Sequence, residues 1–286
     1  MSASTATLHP SSPFRRRAGA LVRRLLFATA LGVTAVGAVG CAGSRASAVA
    51  PSPGEARGDV TGVVSVALAD AELRSDQRAK ASAILGDIEV ATRPGRAARL
   101  ALLGTLADGV ERGALSAEAV EVLIDAVIAA DAAAAPALQK AANELHALLD
   151  EDQREAFVKG LKYGVKSRGL DLVGPLDEMR DLADELDFAW QQKRAIRGVL
   201  WARFEPEKGK IKGSLSDARR RMRDTARAFE SDTFDAERLA FAEDRDGVRE
   251  LFTRFPVAVV EAAIATASAE QRTRLASYLR ARASEP

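Results

Sequence analysis

The chain has 286 residues, with 41 Lys and Arg against 40 Asp and Glu, a formal charge of +1, one cysteine and two histidines. This balance excludes the overall basicity with which proteins hold nucleic acid. The lone cysteine excludes an internal disulfide or a thiolate metal cluster, so stability has to come from packed apolar side chains.

Residues 1–40 have the layout of an export signal. Arg15, Arg16, Arg17, Arg23 and Arg24 precede an uncharged run from Leu25 to Gly40 that stops at Cys41. Positive residues stay on the cytoplasmic side, an apolar segment enters the translocon, and small residues expose the backbone to a peptidase. Leu25 to Gly40 is shorter than the roughly 20 residues a spanning helix needs, so the segment is predicted to be cleaved. Ala38-Val39-Gly40-Cys41 resembles the lipobox of bacterial lipoproteins, with Ala38 where Leu is usual. That resemblance implies a lipidated Cys41 as the mature N-terminus, in the cell envelope, facing the periplasm and anchored to a membrane. The alternative is cleavage after Ala48, at the Ala46-Ser47-Ala48 site, which would release a soluble periplasmic protein.

Residues 41–64 are read as the lipidated cysteine and a flexible tether, clearest in the small, polar and proline-containing run from Ala42 to Asp59. Beyond it, helical periodicity dominates. Val120, Leu123, Ile124, Val127 and Ile128 fall on one helical face, as do Leu102, Leu103, Leu106 and Val110, and then Phe157, Val158, Leu161 and Val165. No alternating β-branched run follows residue 70, and the fold class is therefore all-α. It is a bundle or cradle of about eight helices, with breaks expected near Arg93-Pro94-Gly95, Gly113, Asp131 to Pro136, Ser167 to Pro175, Glu205 to Gly213, Ser231 to Thr233 and Phe255-Pro256.

A short pattern recurs along these helices. Leu73 with Gln77 and Arg78, Leu149 with Asp150, Gln153 and Arg154, and Ala267 with Ser268, Gln271 and Arg272 share one spacing, and Phe188 with Gln192 and Lys193 is a weaker fourth copy. The paired glutamines lie 76 and 79 residues apart. Between them, Leu115-Ser116-Ala117-Glu118 corresponds to Phe234-Asp235-Ala236-Glu237, 34 and 33 residues before the closing copies. Asp150 with Gln153 and Ser268 with Gln271 have the spacing of a capping box, in which the glutamine is a structural residue.

The pattern resembles the L-T-x-x-Q signature of the Spy/CpxP family of periplasmic helical proteins, which occurs twice per unit and opens helices. Four copies imply two tandem units, 65–174 and 175–286. The opening copies carry Arg74 and Ala189 at the cap and so depart from the family pattern. In this family the resemblance implies an ATP-independent chaperone that binds unfolded clients on a basic and apolar face. A regulatory adaptor for one folded partner, such as a stress sensor kinase, is the alternative. Family members often dimerise, and duplication would supply that pairing internally, so a monomer is expected.

Little points to catalysis. Beyond the signal the chain keeps one histidine, His146, inside the apolar segment Leu145 to Leu149, and two methionines, Met179 and Met222. There is no phosphate loop and no histidine–methionine cluster for metal, so no catalytic residue, metal or cofactor is expected. The second unit is instead rich in cations and aromatics. Arg197, Trp201, Arg203, Arg219, Arg220, Arg221 and Arg223 are the candidate client-binding residues, because cations speed encounter with acidic chains while aromatic surface covers exposed apolar groups. The same charges suit anionic lipid headgroups or acidic polysaccharide.

Overall fold

A computed structural model describes residues 60–167, 182–238 and 245–284. The signal, Cys41, the tether to residue 59 and the expected junction between units at 174–175 lie outside the described residues. Eight α-helices follow in order: α1 (Val60–Asp70), α2 (Ser75–Arg112), α3 (Ala117–Leu148), α4 (Glu151–Ser167), α5 (Trp190–Phe204), α6 (Lys208–Glu230), α7 (Arg245–Thr266) and α8 (Ala269–Ser284). A 3₁₀ turn, Glu205–Glu207, joins α5 to α6, and a helical turn at 182–185 precedes α5. No strand occurs among the described residues, and the fold is all-α. Residues 60–64, read from sequence as the end of the tether, are instead the start of α1, with Thr61 and Val63 fully packed.

Three expected breaks are absent. Pro94, Pro136 and Pro256 lie inside the continuous helices α2, α3 and α7. A proline removes one backbone hydrogen bond and frees the carbonyl four residues earlier. All three prolines are on solvent faces, where water is at hand for the lost bond, while the buried stripes on either side hold the helix together. Gly95 marks a close approach rather than a turn. A Cβ there would lie 2.8 Å from Asp131 Oδ1, and Asp131 receives two hydrogen bonds from Arg99, at 2.6 and 2.8 Å. The breaks at Gly113 and at Ser231 to Thr233 occur where the sequence places them, while the one expected over Glu205 to Gly213 shrinks to the 3₁₀ turn Glu205–Glu207, with residues 208–213 already helical in α6. Gly113 has φ 78° and closes α2 in the left-handed conformation, which only glycine adopts without strain.

The helices build two apolar cores. The first gathers Leu68, Leu85, Ile88, Leu145, Phe157 and Val158, and with them Phe229 from the far end of α6. The second gathers Leu186, Phe188, Val260 and Leu275, and with them Leu106, Val110 and Ile124 from the α2–α3 hairpin. At 38 residues, or about 57 Å of rise, α2 runs from one core to the other and α3 returns. Each core therefore contains elements from both halves of the chain. Equivalent clasps fasten the exchange: Lys162 on α4 reaches Glu230 at the end of α6 (3.6 Å), and Arg280 on α8 reaches Asp108 and Glu111 at the end of α2.

Close packing of α1 on α4 depends on Gly160, where a Cβ would lie 2.9 Å from Ala67 Cα. Because the obstacle is backbone, Gly160→Ala should cost about 1–3 kcal/mol, read as a lower urea midpoint at unchanged slope. Gly198, with nothing within 4 Å of its Cβ position, is the control: Gly198→Ala should be neutral or slightly stabilising.

Candidate functional site

The four motif copies come together as two pairs. Gln77 and Gln153 form a doubly bonded amide pair, each Nε2 donating to the other's Oε1, at 2.8 and 3.0 Å. Gln77 Oε1 also accepts from the Arg74 amide (2.9 Å), and its Nε2 donates to the Leu148 carbonyl (2.7 Å), which ends α3. Gln153 Oε1 accepts from the Asp150 amide (3.2 Å), while the Gln153 amide donates to Asp150 Oδ1 (3.1 Å), a reciprocal capping box. Gln192 and Gln271 repeat the arrangement, with bonds of 2.8 and 3.3 Å between their amides. Gln192 Nε2 donates to the Thr266 carbonyl at 2.8 Å, and Ser268 and Gln271 cap each other at 2.9 and 3.2 Å. As the sequence predicts, Arg74 and Ala189 supply no side-chain cap.

Leu73, Leu149 and Phe188 are buried against these pairs. In the three copies where arginine follows the glutamine it folds back on the carbonyl five residues earlier: Arg78 to Leu73, Arg154 to Leu149, Arg272 to Ala267, at 3.1, 3.3 and 3.0 Å, whereas Lys193 in the fourth pairs with Asp184. Glu72 and Asp187, each five residues before its glutamine, share positive φ angles of 48° and 52°. Neither residue type announces that turn, so it was not legible from sequence. Both pairs are capping devices, the Gln77–Gln153 pair buried and the Gln192–Gln271 pair half-buried.

His146 is likewise structural. Its ring stacks on Phe234 with centroids 5.2 Å apart, meets Phe229 edge-on at 5.4 Å, and hydrogen-bonds through Nε2 to the Ser231 carbonyl at 2.8 Å. Among the described residues no group of three His, Cys, Asp or Glu is placed to hold a metal, and no helix is long and apolar enough to cross a membrane.

The surface that stands apart is the arm α5–3₁₀–α6. No side chain of α5 is fully buried. The helix leans on the second core through half-buried Ile196 and on α7 through Phe204 against Phe255, centroids 5.5 Å apart. A neighbouring exposed face carries Trp190, Arg194, Arg197 and Trp201, at helical spacings of four, three and four residues. Trp190 and Trp201 are 66% and 59% exposed. Arg194 lies over Trp190 at 5.3 Å, and Lys208, from the start of α6, lies over Trp201 at 4.5 Å, contacts worth about 0.5–1 kcal/mol each at exposed positions.

The matching positions of the first half, counted from Gln77 instead of Gln192, are Ser75, Ala79, Ser82 and Gly86. The same helical element is thus built with small residues there. The tryptophans and arginines are not required by the fold.

The candidate binding residues divide. Arg197 and Trp201 are in this ladder. Arg203 faces α7, where it pairs with Glu261. Its charge also reaches Glu121, whose carboxyl sits below the ordinary carboxylate range, first through a hydrogen bond from Arg254 and against partial desolvation. On α6, Arg220 is paired with Asp217 at 2.8 Å and Arg221 is half-buried with a partner of its own. The side chain of Arg219 lies outside the described residues. Arg223 is exposed and, with Lys212 and Arg227, occupies one face of α6. Among the described residues Arg197, Lys210, Lys212, Arg223 and Arg227 form no ion pair.

The phenylalanines of this region are different from the tryptophans. Phe229 is in the first core with Phe234 packed on it, and Phe188 is in the second, so among the described residues the large exposed aromatics of the region are the two indoles. Lys193, Trp190, Arg194 and Lys208 were not singled out as binding residues from sequence, although the spacing of Trp190 to Trp201 was a usable signal. No protein-family model matches the chain, and no curated protein or solved structure matches it.

Proposed function

We propose that the chain is a non-enzymatic envelope protein, held at a membrane through lipidated Cys41, that binds unfolded or stress-exposed polypeptides without a cofactor, in the manner of Spy/CpxP proteins. The observation carrying this reading is the set Arg197, Lys210, Lys212, Arg223 and Arg227 on the arm α5–3₁₀–α6, which form no ion pair among the described residues and share that arm with two exposed indoles. Long-range attraction brings acidic segments of a client to such a surface, and aromatic area then holds exposed apolar side chains weakly enough for release. The pairing of motif glutamines supports the resemblance to the family, since it gives a physical reason for two copies per unit. Each copy caps a helix and completes the other.

The test is light scattering during refolding of a chemically denatured acidic client. The wild-type chain at equal concentration is expected to suppress aggregation, and the variant Lys212→Ser/Arg223→Ser/Arg227→Ser to lose about half of that effect or more, with a weaker dependence on salt. No suppression at several-fold excess would remove the chaperone reading and direct the search to a single folded envelope partner. We propose further that the chain works as a monomer, because each half completes the other's core. Sedimentation should give a single-chain mass, and a tight dimer would count against it.

A further inference from the structure

We infer that the ladder on α5 is a membrane-docking face whose occupant is an anionic phospholipid surface, leaving the α6 row for polypeptides. It does not depend on the polypeptide-binding reading and departs from it at one point, since it assigns the indoles to lipid and leaves clients the α6 cations. Both tryptophans of the chain, Trp190 and Trp201, are in this ladder. They stand on one helix face with Arg194 and Arg197 between them and Lys208 beyond, and α5 contains no acidic residue. Indole rings with an apolar body and a polar N–H settle at the level of lipid headgroups, and flanking arginine and lysine side chains meet the phosphates above them.

Charge complementarity favours lipid over an unfolded chain on this face. The α5 face offers separate indoles alternating with cations, a surface suited to a flat layer of phosphates over apolar chains. The cation–π contact to Trp190 holds that indole beside Arg194, a charge that would meet a headgroup, while Lys208 over Trp201 also pairs with Glu205 at 3.2 Å and would exchange that carboxylate for a phosphate. The first half, where the same positions are Ser75, Ala79, Ser82 and Gly86, has no such face. Docking would therefore orient the molecule with its second half toward the bilayer.

The two indoles are the only ones in the protein, so their emission reports on this face alone. The full-length chain is mixed with vesicles of brominated phosphatidylcholine, and separately with the same vesicles containing phosphatidylglycerol. Bromine on the acyl chains quenches an indole only when it reaches the acyl boundary. Either vesicle accepts the apolar segment 25–40, and Arg15, Arg16, Arg17, Arg23 and Arg24 add a charge-dependent attraction of their own, so docking of α5 is read as the part of the quenching in anionic vesicles that Arg194→Ser/Arg197→Ser removes. Emission is expected to fall by about half with the anionic vesicles and to change little with the neutral ones.

Arg194→Ser/Arg197→Ser should shift the half-saturating lipid concentration upward by about fivefold per cation removed. Trp190→Phe and Trp201→Phe should each remove part of the quenched signal. Equal quenching in both vesicle types, or none in the anionic ones, overturns the inference. An acidic unfolded polypeptide that displaces the protein from anionic vesicles and itself shifts the indole emission would assign the face to polypeptide instead. Aggregation suppression is scored separately on the α6 variant, so failure of docking and failure of chaperoning are distinct results.

Discussion

Gln77→Leu should be among the most destabilising single substitutions in the chain, lowering unfolding free energy by about 3–5 kcal/mol. Gln77 is 1% exposed and uses its amide in four hydrogen bonds. Leucine fills most of the volume but leaves the Arg74 amide, the Leu148 carbonyl and Gln153 Nε2 without these partners, and an unsatisfied buried group costs about 1–3 kcal/mol. Gln192→Leu should cost less, about 1–3 kcal/mol, because its site is half-open to water. The double variant Gln77→Leu/Gln153→Leu should be less destabilised than the sum of its singles by about 1–2 kcal/mol, since two leucines leave no orphaned amide between them. Urea unfolding monitored by circular dichroism reads all three. A Gln77→Leu midpoint equal to wild type would mean that water replaces the pair, and that the motif is a capping preference with no larger role.

Phe229→Ala should cost about 3–5 kcal/mol and should loosen the half of the molecule to which Phe229 does not belong in sequence. The side chain is 1% exposed on α6 yet sits in the first core, against Phe157 at 5.2 Å and His146 at 5.4 Å. Amide hydrogen exchange should therefore lose protection first in α1, the N-terminal half of α2 and α4, with α7 and α8 less affected. Protection lost only along α6 and its sequence neighbours would show that the halves fold as separate bodies and that the exchange of ends contributes little. The same experiment on wild type should find α5 among the least protected helices, because none of its side chains is fully buried.

The helices themselves were legible because burial in this protein is periodic. Val120, Ile124 and Val127 fall on one face in sequence and are buried in the structure, and the same holds for Phe157, Val158 and Leu161. The prolines misled where periodicity did not, since Pro94, Pro136 and Pro256 lie on solvent faces inside continuous helices rather than at ends. A local rule about a missing N–H contains no information on whether the helix is held from both sides. For the candidate site, residue type pointed to the segment that contains the arm, and Arg197 and Trp201 are exposed there. Residue type did not separate free cations from those already paired, such as Arg203 with Glu261 and Arg220 with Asp217, because the partners are far away in sequence or depend on rotamer choice.

By itself, then, the sequence determined the all-helical fold, the four helix starts and the caps at Asp150 and Ser268, all of which are decided by side chains within one or two turns of each other. The tertiary structure alone decided that the glutamines meet in pairs 76 and 79 residues apart, that each core is completed by the other half, and that Trp190 and Trp201 remain outside both. Those outcomes depend on which long helix ends reach which core, a matter of packing between distant segments that no local pattern encodes.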